Sequence, residues 1–204
     1  MQRVKTVAML FGEVDRMRIF DISRDIMTTK PYGTDPVPKL KQIARLEKAG
    51  YNLSRIEMSL HAATHVDAPL HFIEKGADIS SVLVEIFVGP CTVMTVPSQK
   101  LDAMFFMTQK FEERLILRGG GELTESAIGY LYSRGLKLIG TDRESIGQPT
   151  DEKTAHVTLL GYGIAVVENL ELSEVHDGNY ILSAAPLKIA GGEAAPCRAV
   201  LIER

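Results

Sequence analysis

Residues 61–72 read HAATHVDAPLHF and place three of the chain's five histidines, with an aspartate, in one short run. Imidazole nitrogens and a carboxylate suit zinc or manganese, and the lack of a nearby thiolate argues against a closed, cysteine-rich structural zinc site. The helical period fails to gather them. At about 100° per residue only His61 and His65 share a face, and Pro69 would clash with the carbonyl of His65. The strand period succeeds, because His61, His65, Asp67 and His71 are all odd-numbered and an extended chain points them one way. Ala62, Thr64, Val66, Ala68, Leu70 and Phe72 then face the core. Only Ala63 and Pro69 lie between the polar side chains, and their small size leaves room for an ion. Pro69 stops ladder pairing, so the cluster belongs at a strand end that runs into a loop. The competing reading is a polar edge strand whose histidines merely meet water.

Two later residues draw attention. Glu168 ends the apolar run GIAVV, and the carboxyl end of a strand is where open α/β sheets place their sites. His156 stands near a helix start and by itself reads as a satisfied surface residue. His176, in the turn-like HDGN, reads as solvated, and Gly119–Gly121 as a flexible turn. Other templates are missing: there is no G-x-S-x-G elbow and no phosphate-binding G-x-x-x-x-G-K-[ST] loop, and GYGIAV lacks the third glycine of a dinucleotide fingerprint.

The elements that must position these groups follow from pattern. RIFDIS (18–23) predicts a first strand, and the Pro-, Gly- and Thr-rich residues 28–38 a loop. Residues 40–49 fit either a helix or the start of a hairpin into 53–59. Strands are predicted at 92–96 and 115–117. A helix is predicted over 125–134, capped by Thr124 with Gly135 beyond its end. Residues 136–140, 154–160 and 164–167 form a strand-helix-strand unit, which predicts an α/β domain with a mixed, partly parallel sheet. Closing strands are expected at 181–189 and 199–202. Residues 1–17 read as an N-terminal extension and 18–204 as one domain.

The 204 residues, 45% hydrophobic and 24% charged, suffice for a core without staples. The net charge of −3 comes from interspersed groups with no basic stripe, which argues against nucleic acid as a partner. No stretch approaches the roughly 18 apolar residues of a membrane span, and no signal-peptide pattern is found. Cys91 and Cys197 read as buried thiols rather than a disulfide, so a cytoplasmic location is expected.

HAATHVDAPLHF resembles the H-x-G-T-H-x-D-x-P-x-H signature of the metal-dependent cyclase family, whose best-understood members are bacterial kynurenine formamidases. FDIS (20–23), IGTDRESI (139–146), AHVTLLGYGIAVVENLEL (155–172) and PLKIAGGEAAPCRAVLI (186–202) resemble further family segments. The resemblance implies a swivelling β/β/α domain in a homo-oligomer, dimer or tetramer, with residues 40–59 as a strand pair. It implies a site of two divalent ions, zinc or else manganese, held by His61, His65, Asp67, His156 and Glu168, with Asp67 bridging. His71 matches the family's catalytic histidine, and Glu168 could share in proton transfer. The implied reaction is hydrolysis of a small amide, an aryl formamide such as N-formylkynurenine, by hydroxide generated at the metals, with His71 protonating the leaving amine. Isatin hydrolases, which open a lactam, belong to the same family, so a lactam or lactone is the alternative substrate. A metal-binding member without turnover is a further alternative. Ala63 departs from the motif's usual glycine, and its methyl would crowd the site or require a different backbone.

Overall fold

The computed structural model describes residues 17–97, 99–147 and 151–203. The expected extension therefore lies, except for Met17, outside the described residues.

In chain order the elements are β1 (Ile19–Asp21), β2 (Lys39–Ala44), α1 (Leu46–Ala49), β3 (Leu53–Glu57), β4 (His65–Asp67), β5 (Val88–Thr95), β6 (Lys100–Leu101), α2 (Ala103–Met107), β7 (Arg114–Arg118), β8 (Glu122–Leu123), α3 (Glu125–Ser133), β9 (Leu138–Thr141), α4 (Glu152–Gly161), β10 (Ala165–Glu168), β11 (Gly178–Ser183), β12 (Ala194–Pro196) and β13 (Val200–Glu203). Nine of the strands make one mixed sheet in the order β1-β13-β11-β5-β7-β9-β10-β4-β12. Its centre, β5 to β10, is parallel, and both wings are antiparallel. The expected α/β class with a mixed sheet is what the chain adopts.

The central strands are apolar on both faces, as parallel strands covered on two sides must be. Ile116, Leu138, Ala165 and Val167 join Val66, Ala68, Tyr180 and Leu201 in one core. Leu115, Leu117, Ile139 and Val166 face the other way, into a second core with Ile128 and Leu131 of α3 and Leu159 of α4. The sheet curls around the first core until Ser23, just past β1, bridges Leu170, just past β10. The expected strand-helix-strand unit is β9-α4-β10, with its two strands parallel. α3 is capped as expected: Thr124 Oγ1 accepts from the Ala127 N–H, and Gly135 follows at a positive φ of 80°.

Residues 40–59 form the β2–β3 hairpin that the resemblance implies, with α1 inside its loop, and every residue of both strands is exposed or half-buried. The strand expected over 181–189 is β11, which begins at Gly178 and ends at Ser183. β12 is not foreseen, because three residues carry no periodic signal. Cys91 and Cys197 are unpaired, and burial pushes both thiols up to about 12.

Candidate active site

The alternation expected through residues 61–71 holds only across β4. His65 and Asp67 point to one side and Val66 and Ala68 into the first core. A single extended stretch would carry His61 and His71 away with the strand, so the structure corrects that part of the expectation. Ala63 turns the chain ahead of β4 at a left-handed φ of 56°, and Pro69–His71 forms one 3-10 turn behind it. These two bends bring His61 and His71 back over the strand, with ring centroids 4.2 Å apart. Gly76 backs the second bend: a Cβ there would lie 2.6 Å from the Pro69 carbonyl carbon.

Register supplies the opposite wall. β10 runs antiparallel to β4 with Glu168 opposite His65 and Val166 opposite Asp67, so all three polar side chains share a face. Thr64, which faces the interior as expected, links the two strands: its hydroxyl donates to the Asn169 carbonyl at 2.6 Å and accepts from the Arg24 N–H at 2.9 Å. α4 lays His156 across this face, correcting its reading as a surface residue, since it is 1% exposed. Phe72 stacks on the His156 ring at 4.7 Å. His176 is exposed, as expected.

Asp67 is the hub. His61 Nδ1 lies 3.1 Å and His65 Nε2 3.4 Å from its Oδ1, and His156 Nε2 lies 3.5 Å from its Oδ2. Glu168 completes the ring, 3.6 Å from His65 Nε2 and 3.0 Å from His156 Nε2. Its Oε1 also accepts the Ile146 N–H at 2.7 Å, which is what the 139–146 segment contributes. Two groups of metal-ligand type result, His61–His65–Asp67 and Asp67–His156–Glu168, joined at Asp67.

Electrostatics couple these groups tightly. Burial disfavours charge on His65 and His156, but the Asp67 and Glu168 carboxylates outweigh it and raise both imidazoles to about 10. Burial would raise Asp67, yet the surrounding histidines hold it well below the usual carboxylate range. Glu168 is lowered too, the imidazoles overcoming its burial and the Asp67 charge. His71 is lowered chiefly by burial, which favours its neutral form.

Both Asp67 oxygens, His65 Nε2 and His61 Nε2 are buried without a hydrogen-bond partner among the described residues. A carboxylate 1% exposed in that condition is costly. A divalent cation between it and the imidazoles would offset the cost, so the residues fit a metal.

The cleft over this cluster encloses about 150 Å³ and is also lined by Tyr32, Asp35, Glu144 and Glu152. Tyr32 and Asp35 come from the 28–38 loop, where sequence pattern offered only turn signals. Glu193, 3.6 Å from His61 Nε2, was missed as well.

A mixed α/β sheet with a histidine–carboxylate cluster at a strand end is an arrangement that suits a divalent metal. The family model "Putative cyclase" matches residues 20–148. The chain is 32% identical to a kynurenine formamidase of Erythrobacter litoralis over 91% of its own length and 94% of that protein's. A solved structure described as a "potential metal-dependent hydrolase with cyclase activity" superposes with a TM-score of 0.78 at 27% identity, covering 93% of this chain and 99% of the other. Isatin hydrolase A of Labrenzia aggregata shares the fold, with a TM-score of 0.74 at 22% identity over 91% of this chain and 93% of that one. The chain therefore belongs to the cyclase family, and it is a hydrolase.

Proposed function

We propose that this hydrolase is metal-dependent and cleaves the C–N bond of a small amide, an aryl formamide of the N-formylkynurenine type. The observation that carries the reading is Asp67, buried with both oxygens unpaired amid three imidazoles. The similarity to kynurenine formamidases supports the choice of amide.

His61, His65 and Asp67 would hold one ion, and Asp67, His156 and Glu168 a second, zinc in both places or else manganese. A divalent ion supplies Lewis acidity and lowers the pKa of a water it binds from 15.7 to about 7. The protein's own residues do the rest. The backbone carbonyls of Ala63 and Glu152 face Nδ1 of His65 and His156 at 2.8 Å and 2.7 Å. With a metal bound in place of the Nε2 proton, each of these rings would keep its proton on Nδ1 and offer Nε2 inward. His71, neutral by burial and at the cleft wall, is placed to take a proton from the attacking water and return it to the departing amine. Phe72 lines the cleft and packs against the His71 and His156 rings.

Copies of the chain are proposed to associate. Leu40, Ile43, Leu53 and Ile56 of the β2–β3 hairpin are each more than 40% exposed, an apolar surface that suits a partner.

The test is the metal content of the purified protein, with hydrolysis of N-formylkynurenine and of isatin assayed side by side. Stoichiometric zinc or manganese with preferential formamide cleavage is expected. A protein with no bound transition metal and no gain in hydrolysis on adding zinc or manganese overturns the reading, and preference for isatin moves the substrate to lactams.

A further inference from the structure

Two of the three imidazoles around Asp67 are oriented by backbone, and the third is not. His65 and His156 each face a main-chain carbonyl through Nδ1. His61 is turned the other way, with Nδ1 toward Asp67 at 3.1 Å and Nε2 buried on the far side of the ring. No hydrogen-bond partner meets that second nitrogen among the described residues. What faces it is a side chain, the Glu193 carboxylate, at 3.6 Å.

We propose that Glu193 is a positioning residue for His61. Its carboxylate accepts the Nε2 proton, fixes the tautomer that leaves the Nδ1 lone pair free, and so aims His61 at a metal shared with Asp67. The inference rests on the metal reading above and goes beyond it.

Glu193 does not reach this place by chance of a loose loop. Its carbonyl accepts the Ala68 N–H at 2.9 Å, and the next residue, Ala194, pairs with Asp67 in the β12–β4 ladder. On its other side the Gly192 carbonyl accepts the Ile79 N–H at 2.8 Å, and the Gly191 N–H donates to Asp78 Oδ2 at 2.7 Å. The backbone is held from both directions while the side chain stays 41% exposed. A separation of 3.6 Å exceeds hydrogen-bond length, and rotation of that side chain is what closes it. A carboxylate behind a ligand imidazole both orients the ring and strengthens its donor nitrogen.

The experiment measures zinc affinity by competition with a chromogenic chelator for wild type, Glu193→Ala, Glu193→Asp and His61→Ala, and for the Glu193→Ala/His61→Ala pair, alongside thermal melting of the metal-free proteins. Glu193→Ala is expected to lose about 10- to 100-fold in zinc affinity with the metal-free melting temperature unchanged. Glu193→Asp should recover part of the loss. In the His61→Ala background, Glu193→Ala should cost nothing further, since its effect passes through that ring. Zinc binding within twofold of wild type in Glu193→Ala, or an equal loss with and without His61, overturns the assignment. If wild type itself takes up neither zinc nor manganese, the metal reading falls and takes this one with it.

Discussion

The cleft has two halves that hold their side chains by different means. His65, Asp67 and Glu168 are strand-borne: ladder register sets them opposite one another, and all three are at most 5% exposed. His61 and His71 are turn-borne, delivered by a left-handed residue and a single 3-10 turn, and only partly buried. Many backbone hydrogen bonds act together to keep a register, whereas a bend rests on one or two dihedral angles. The acids and His65 are thus fixed with the sheet, and the two half-buried imidazoles depend on local conformation.

The sharpest way to probe the strand half is Asp67→Asn, which keeps the shape and removes the charge all three imidazoles share. Metal retained after dialysis, measured by elemental analysis, should fall to near zero, with both groups lost together. Retention of half the metal would show that the two groups stand apart. In the turn half, His71→Ala should leave metal content intact and lower hydrolysis by about 10²- to 10⁴-fold, the usual worth of a positioned acid–base group. Loss of metal along with activity would make His71 a ligand and erase the distinction.

Smaller effects test how the halves are joined. Thr64→Val keeps volume but leaves the Asn169 carbonyl and the Arg24 N–H without their partner. It should cost about 1–3 kcal/mol in denaturant unfolding. Smallest is Ala63→Gly. The left-handed φ of 56° costs an alanine about 1–2 kcal/mol, and glycine's greater backbone entropy returns roughly 0.5–1. A net gain of roughly 0.5–1 kcal/mol is expected. A loss would mean that the methyl packs usefully enough to outweigh the strain.

Ala63 also shows what could be read from sequence and what could not. The strand period correctly sorted His65 and Asp67 from Val66 and Ala68, because β4 is extended there. It also put His61 and His71 on the proper side, for a reason that proved mistaken: a left-handed residue and a 3-10 turn brought them there. The motif's usual glycine is the one sequence signal of that bend. Glu168 was legible from its place at a strand's end. His156 was legible only through the family resemblance, because its burial depends on how α4 packs over β10. Glu193 and Tyr32 gave no signal, since each reaches the cleft through long-range pairing or an irregular loop. By pattern alone the β2–β3 hairpin stayed ambiguous, because its apolar residues meet no core whose period they would match, and only the resemblance implied a strand pair.

Gly76 sits five residues beyond His71 and does not line the cleft, yet the chain folds back so closely there that any side chain would push into Pro69. A mutational screen that scores only cleft-lining positions would pass over it. The position nonetheless behaves as a doorstop for the turn that carries His71, and a bulky replacement would loosen that proposed proton shuttle while leaving every lining residue in place.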